Sequence, residues 1–159
     1  MSAIDDLSLI KIRFALQDLN AAYAYLLDHG RIDELVDLFT DDAVYSHGER
    51  RSEGRRAIHA FFRARADAGV RTCRHLFTGL MVHIESESSA RGSSVGTTFA
   101  FDGPPPVTPA TPYLVADFDD VYRLCVDGKW RIAVRAIQRI FVAADNPGPI
   151  GLHKAGRPS

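Results

Sequence analysis

The sequence predicts an α+β fold, with helices packed on one face of a curved sheet, and two observations carry that prediction. Apolar residues recur at helical spacing through the first third of the 159 residues. After Gly69 the period changes from 3.6 to 2, and Val, Ile, Phe, Thr and Tyr accumulate in runs separated by Ser/Gly, Pro and Asp-Gly punctuation. Helices first and a succession of antiparallel strands afterwards is the α+β order.

The elements follow from the N-terminus. Ile12, Leu16, Leu19, Tyr23 and Leu26 step by 4, 3, 4 and 3, one apolar stripe of an amphipathic helix over residues 4–28, and Gly30 is placed to end it in a left-handed conformation. A shorter helix over 31–39 puts Ile32, Leu35, Val36 and Phe39 on one face. Asp41-Asp42 then reads as a turn into a strand over 43–47, closed by Gly48. Residues 55–66 are helical with Ile58, Phe61 and Phe62 inward. Strands are expected over 72–85, 93–101, 113–126 and 129–142, the last two joined by an Asp127-Gly128 hairpin turn. Five of the eight prolines lie between Pro104 and Pro112, in a loop too poor in donors for a central strand. Residues 1–145 thus read as one domain. Residues 146–159 form a Pro/Gly-rich tail whose Ile150 and Leu152 are candidates for a lid.

In the last two strands both faces carry apolar residues: Val115, Val121, Cys125, Ile137 and Phe141 on one, Phe118, Tyr122, Leu124, Val134 and Ile140 on the other. Helices cover only one face of such a sheet, so the remaining face is a candidate subunit interface.

Composition narrows the function classes. With 46% hydrophobic and 25% charged residues the chain is neither disordered nor fibrous. Two cysteines, Cys73 and Cys125, have no disulfide or zinc spacing, which makes a reducing cytoplasm the default location. No apolar run reaches membrane-spanning length, and the acidic N-terminus is unlike a signal peptide. The net charge of −1 hides an asymmetry: residues 1–42 hold nine acids against three basic residues, and residues 50–74 hold eight arginines against two acids. The arginine cluster lacks interleaved stacking aromatics apart from Phe61 and Phe62, and no nucleic-acid motif accompanies it. It reads instead as a charged face complementing the acidic segment. Neither a glycine-rich phosphate loop nor a nucleophile elbow is present, so no cofactor is expected.

Asp28 breaks a local rule. It stands at a helix C-terminus, where the macrodipole disfavours a carboxylate by up to about 1 kcal/mol, directly after the apolar run Tyr25-Leu26-Leu27. It is either a capping group or a functional one. His75 alternates onto the face of Cys73, Phe77 and Met81, where an imidazole is either a satisfied core residue or a base. Together the two have a chemistry: a buried carboxylate fixes the imidazole tautomer and leaves the other ring nitrogen as a base near neutral pH. Asp28, His47 and His75 also contain metal-ligating groups, but no short ligand motif joins them, and no metal is expected.

The segments AAYAYLLDHGRIDELVDLFTDDAVY, GRRAIHAFF, CRHLFTGLMVHIE and VDGKWRIAVRAIQR resemble the nuclear transport factor 2-like superfamily. Within it they are most similar to the SnoaL-like branch that includes scytalone dehydratase and hexachlorocyclohexane dehydrochlorinase. The resemblance spans residues 5–142. It implies a cone-shaped barrel of strongly curved mixed sheet wrapped around the N-terminal helices, a deep apolar cavity, and homodimers or homotrimers built on the outer sheet face. It also implies a catalytic dyad at Asp28 and His75. Tyr23, Tyr45, His47, Phe77, Asp117 and Asp119 are the candidate substrate-binding residues around it. The strand SSVGTTFAFDG lacks the dehydratase's second histidine, and Tyr23 stands where the dehydrochlorinase has lysine. The expectation is a cofactor-independent lyase or isomerase, dehydratase- or cyclase-like, acting on a small apolar, aromatic, polyketide- or terpenoid-like ligand. The alternative is a non-catalytic binding or structural subunit of the same fold.

Overall fold

The first helix is set by its ends. In the computed structural model, which describes residues 4–143, Asp5 caps α1 (Asp6–Asp28) by accepting from the Ser8 backbone N–H at 3.0 Å and the Ser8 hydroxyl at 2.6 Å. At the other end Gly30, with φ +67°, donates to Leu27 O and Arg31 to Leu26 O. This is the paired closure that a left-handed residue after a helix permits. Ile12, Leu16, Leu19, Tyr23 and Leu26 form the buried stripe, as their spacing requires.

The remaining elements are α2 (Ile32–Val36), β1 (Phe39–His47), β2 (Arg50–Glu53), α3 (Arg55–Asp67), β3 (Arg71–Ser86), β4 (Ser89–Asp102), β5 (Leu114–Leu124) and β6 (Trp130–Val142). Two differences from the sequence expectation concern β1. Phe39 is in the strand, opposite Ile132 of β6, and not on a helix face. Asp41 and Asp42 are the exposed residues of an irregularity inside β1, where the chain satisfies the sheet on either side without turning. The four-residue β2 was not expected, because RRSE has no apolar alternation; as an edge strand it needs none.

The six strands run β2-β1-β6-β5-β4-β3 in one curved, mixed sheet that does not close, with β1 parallel to β6 and every other pair antiparallel. Residues facing the helices on β4 are small: Ala90, Gly92, Ser94, Gly96, Thr98 and Ala100. They leave room for the rings of β5. A Cβ at Gly96 would stand 2.4 Å from the Phe118 ring, and one at Gly92 2.7 Å from the Tyr122 ring. Among the described residues no helix is long and apolar enough to cross a membrane. The tail from residue 146, with the proposed lid residues Ile150 and Leu152, lies outside the described residues.

Bulges reassign several faces. Gly79, at φ +67°, accompanies a register shift between Thr78 and Met81. Before it Cys73 is buried and His75 and Phe77 are partly buried; beyond it Leu80, Val82 and Ile84 turn inward, and Met81 is 75% exposed. Met81 therefore does not share the face of His75. A second shift, at Val121/Tyr122, places Val134 opposite Val121 on the outer face and Ile137 opposite Phe118 on the inner one, the reverse of simple alternation.

Inside the fold lies a polar network. Arg135 and Asp120, both with side chains 0% exposed, form a two-pronged pair at 2.8 and 2.7 Å. Tyr122 donates to Asp120 at 2.7 Å, Asn20 donates to Tyr122 at 2.8 Å, and Arg135 also donates to Asn20. The guanidinium carbon lies 4.1 Å from the Tyr23 ring centre and 5.5 Å from those of Phe77 and Phe118. Three arginines of the last two strands, Arg123, Arg131 and Arg135, are paired with acids, and neither Asp117 nor Asp119 is among them. The acids actually used are Asp42, Asp127 and Asp120 respectively.

Removing one member of a buried pair strands the other charge. Asp120→Ala is expected to lower unfolding free energy by about 3–5 kcal/mol in urea titrations, whereas Asp119→Ala, next in sequence but exposed, should change it by less than about 0.5 kcal/mol. Similar losses in the two variants would contradict this account of the core.

Candidate active site

Asp28 ends α1 beside β3, one of the two edge strands of the sheet. An outer strand leaves backbone donors without a strand partner. The Asp28 carboxylate takes one of them: Oδ2 accepts the His75 backbone N–H at 2.8 Å, and Oδ1 accepts from His75 Nδ1 at 2.6 Å. Both side chains are nearly buried, 5% and 10% exposed. The neighbouring His29 bonds through Nδ1 to Tyr25 O at 2.7 Å and so serves the helix end.

Two attachments to one carboxylate fix the imidazole in position and in tautomer. With Nδ1–H donated to Asp28, the lone pair is on Nε2, and among the described residues no hydrogen bond engages that nitrogen. Burial lowers the pKa of His75; Asp28 offsets this in part, and the charges of Arg65 and Arg135 add to the lowering. Burial raises that of Asp28, but the hydrogen bonds and charge of His75 outweigh it, and the net direction is down. The pair at neutral pH is a carboxylate beside a neutral imidazole.

Cys73 adjoins the pair. Burial, then the Asp28 charge, push its thiol up to about 11, so it is no nucleophile at neutral pH. The ligand-type atoms of Asp28, Cys73 and His75 lie within 4.8 Å of one another. Two ligands of a tetrahedral zinc ion stand roughly 3.3 Å apart, whereas Asp28 and His75 meet at 2.6 Å. As they stand, these residues fit a hydrogen-bonded pair and not a ligand set.

The other candidate residues separate into three groups. Tyr23, Tyr45 and His47 join His75 around an interior cavity of about 30 Å³, enough for about one or two water molecules. The deep apolar cavity implied by the resemblance is largely occupied here by aromatic rings: Tyr45 packs on Phe61 and Phe62, with centres 5.6 and 5.3 Å apart, and Tyr23 on Phe39 and Phe62 at 6.1 and 6.5 Å. Burial pushes both phenols up, so each is an O–H group at neutral pH. His47 accepts from Arg139 Nε at 3.2 Å, and burial, then Arg139, lower its pKa to about 4. Its Nε2 is thus occupied.

Phe77 is elsewhere, lining an open groove of about 650 Å³ between α1 and β3 that His75 and Asp28 also border. Asp117 and Asp119 are on the outer face of β5, one strand position away from the inward Phe118 and Asp120; Asp119 accepts from Ser93 at 2.7 Å. They do not line the cavity. Strand alternation reverses the face with every residue, so the choice between 117/119 and 118/120 depended on the register.

A further pocket of about 320 Å³ opens between the end of α1, α3 and the start of β3, with Asp28, Phe62, Arg65, Arg71 and Cys73 in its wall. Arg65 also borders the interior cavity. Arg65 thus departs from the charged face expected of the arginine cluster. The missed signal is its spacing, three and seven residues after the inward Phe62 and Ile58, which continues the buried stripe of α3.

The SnoaL-like domain model matches residues 10–136. No curated protein matches the chain in sequence. Among solved structures, a protein of Novosphingobium aromaticivorans given the provisional name scytalone dehydratase superposes with a TM-score of 0.75 at 22% identity, over 93% of this chain and 98% of that one. A second protein of that organism, described as NTF2-like with a cystatin-like fold, gives 0.70 at 25% identity over 87% and 88%. A Catenulispora acidiphila protein solved in complex with S-DNPA gives 0.71 at 23% identity over 82% and 94%.

The lowered pKa of His47 has a stability consequence. Its folded value of about 4 lies below the ordinary 6.5, so between these the unfolded chain binds more protons and stability rises with pH. Lowering the pH from 7 to 4 should cost roughly 3 kcal/mol through this residue. Urea midpoints measured at both pH values should converge in His47→Gln relative to the wild type, and an unchanged difference would exclude His47 as the source.

Proposed function

Given that the chain belongs to the SnoaL-like domain family, we propose that it is a cofactor-independent lyase or isomerase in which His75 removes a carbon-bound proton from a small ligand. One observation carries the reading: a single carboxylate holds both the backbone N–H and Nδ1 of His75 and leaves Nε2 open. In the reaction Nε2 takes the proton. The electron pair of the broken C–H bond moves toward an adjacent carbonyl, or expels a leaving group from the next carbon. Asp28 balances the imidazolium that forms, and the proton returns either to the departing oxygen or to another carbon. Tyr23 and Tyr45, both neutral phenols bordering the same cavity as His75, are the donors nearest to hand for a developing oxyanion. The provisional scytalone dehydratase name and the S-DNPA complex of the structural relatives support small-ligand chemistry in this fold.

We further propose that two or three copies assemble through the outer sheet face. Val95 and Phe141 there are 40% and 69% exposed beside Val115, Val121 and Val134. The second reading, a non-catalytic binding or structural subunit, is favoured by the small interior cavity of about 30 Å³.

A panel of enolisable ketones and β-hydroxy ketones, with and without a carboxylate group, incubated with the protein in D₂O distinguishes the two. Deuterium incorporation or dehydration of a panel member is expected. His75→Gln and Asp28→Asn should each lower kcat/KM by about 10²- to 10⁴-fold. The wild-type profile should fall toward acid below the depressed pKa of His75, as the base becomes protonated. Binding without turnover, or turnover unaffected in His75→Gln, would favour the non-catalytic reading.

A further inference from the structure

The arginines of α3 divide by partner. Arg55 donates to Phe39 O at 2.7 Å and lies 3.1 Å from Asp41, while Arg63 meets Asp33 at 2.9 Å. His59 shares Asp33 at 2.8 Å. The basic helix and the acidic segment before it thereby neutralise one another. Arg65 takes no part in this. It turns inward, is partly buried, and among the described residues no hydrogen bond or carboxylate engages its guanidinium. It borders both the interior cavity, with His75, and the pocket of about 320 Å³.

Arg71 is in the wall of the same pocket. Its Nε is held by Asp102 at 3.1 Å, but its Nη1 is buried without a hydrogen-bond partner. The one carboxylate in that wall, Asp28, already accepts twice from His75. A guanidinium withdrawn from water without a counter-ion is destabilising, and a bound anion offsets the loss through charge-assisted hydrogen bonds. The planar fork of arginine matches a carboxylate in particular. The volume is at the lower end of the range of small-molecule sites.

We propose that this pocket binds the carboxylate of an anionic substrate, with Arg65 as the principal donor and Arg71 as the second, so that the reacting carbon is delivered past Arg65 toward His75. The inference rests on the reading of His75 as the base and names the substrate class: a small carboxylic acid bearing an acidic C–H. It replaces the expectation of a purely apolar ligand.

The test is an NMR titration of the full chain with benzoate and with its neutral isostere benzamide, at fixed ionic strength, followed through the side-chain signals of Arg65 and His75. Benzoate is expected to bind about tenfold or more tightly than benzamide. Arg65→Gln should abolish the preference and Arg65→Lys should keep part of it, both with the His75 tautomer unchanged. Equal affinity for the two probes, no saturable benzoate binding, or an undiminished preference in Arg65→Gln would overturn the inference. The titration needs no turnover, so its failure is distinct from a failure of His75→Gln to slow the reaction.

Discussion

One carboxylate connects the two layers of this molecule. Asp28 is at the last position of α1, and both of its oxygens are spent on His75, one on the backbone of an edge strand and one on the ring. The first bond covers an open sheet edge, as the Arg13 bond to Val82 O does farther along the same strand. The second fixes the imidazole. Structure and chemistry thus draw on the same group, and the electrostatic disadvantage of an acid at a helix C-terminus is offset by two hydrogen bonds that no uncharged side chain of that length accepts together.

The rest of the interior is arranged so that this pair can exist away from water. Small residues on β4 admit Phe118 and Tyr122, and the rings of Phe118, Tyr23 and Phe77 surround Arg135. Arg135 in turn is neutralised by Asp120 and anchored to α1 through Asn20. The buried Arg135–Asp120 ion pair is close enough to the Asp28–His75 pair for its positive member to contribute to holding His75 neutral. The aromatic filling also explains why the interior cavity is small while the larger hollows are at its margins, between α1 and β3 and below α3.

Charge in the chain is organised by the same logic. The acidic and arginine-rich segments meet across α2, β1 and α3, and their pairs at the surface are individually weak. Arg65 points the other way, toward the pocket, and takes no part in these pairs. A fold does not by itself fix function, which depends on such local details.

Sequence periodicity by itself determined the three helices, the four long strands and the hairpin at Asp127-Gly128, because these depend on short-range spacing; Asp28 stood out as a helix end that breaks an electrostatic rule, and its pairing with His75 rested on the chemistry of the two groups and on the family resemblance. Periodicity did not determine which face each strand residue takes. Met81, Val134 and Ile137 changed sides because single-residue bulges invert alternation, and the same parity moved the buried acid from Asp117 or Asp119 to Asp120. Nor did it reveal that Arg65 lacks a partner. Whether a charge is neutralised depends on residues distant in sequence, and only the tertiary structure, which brings Asp33 to Arg63 and leaves Arg65 facing the pocket, decides that.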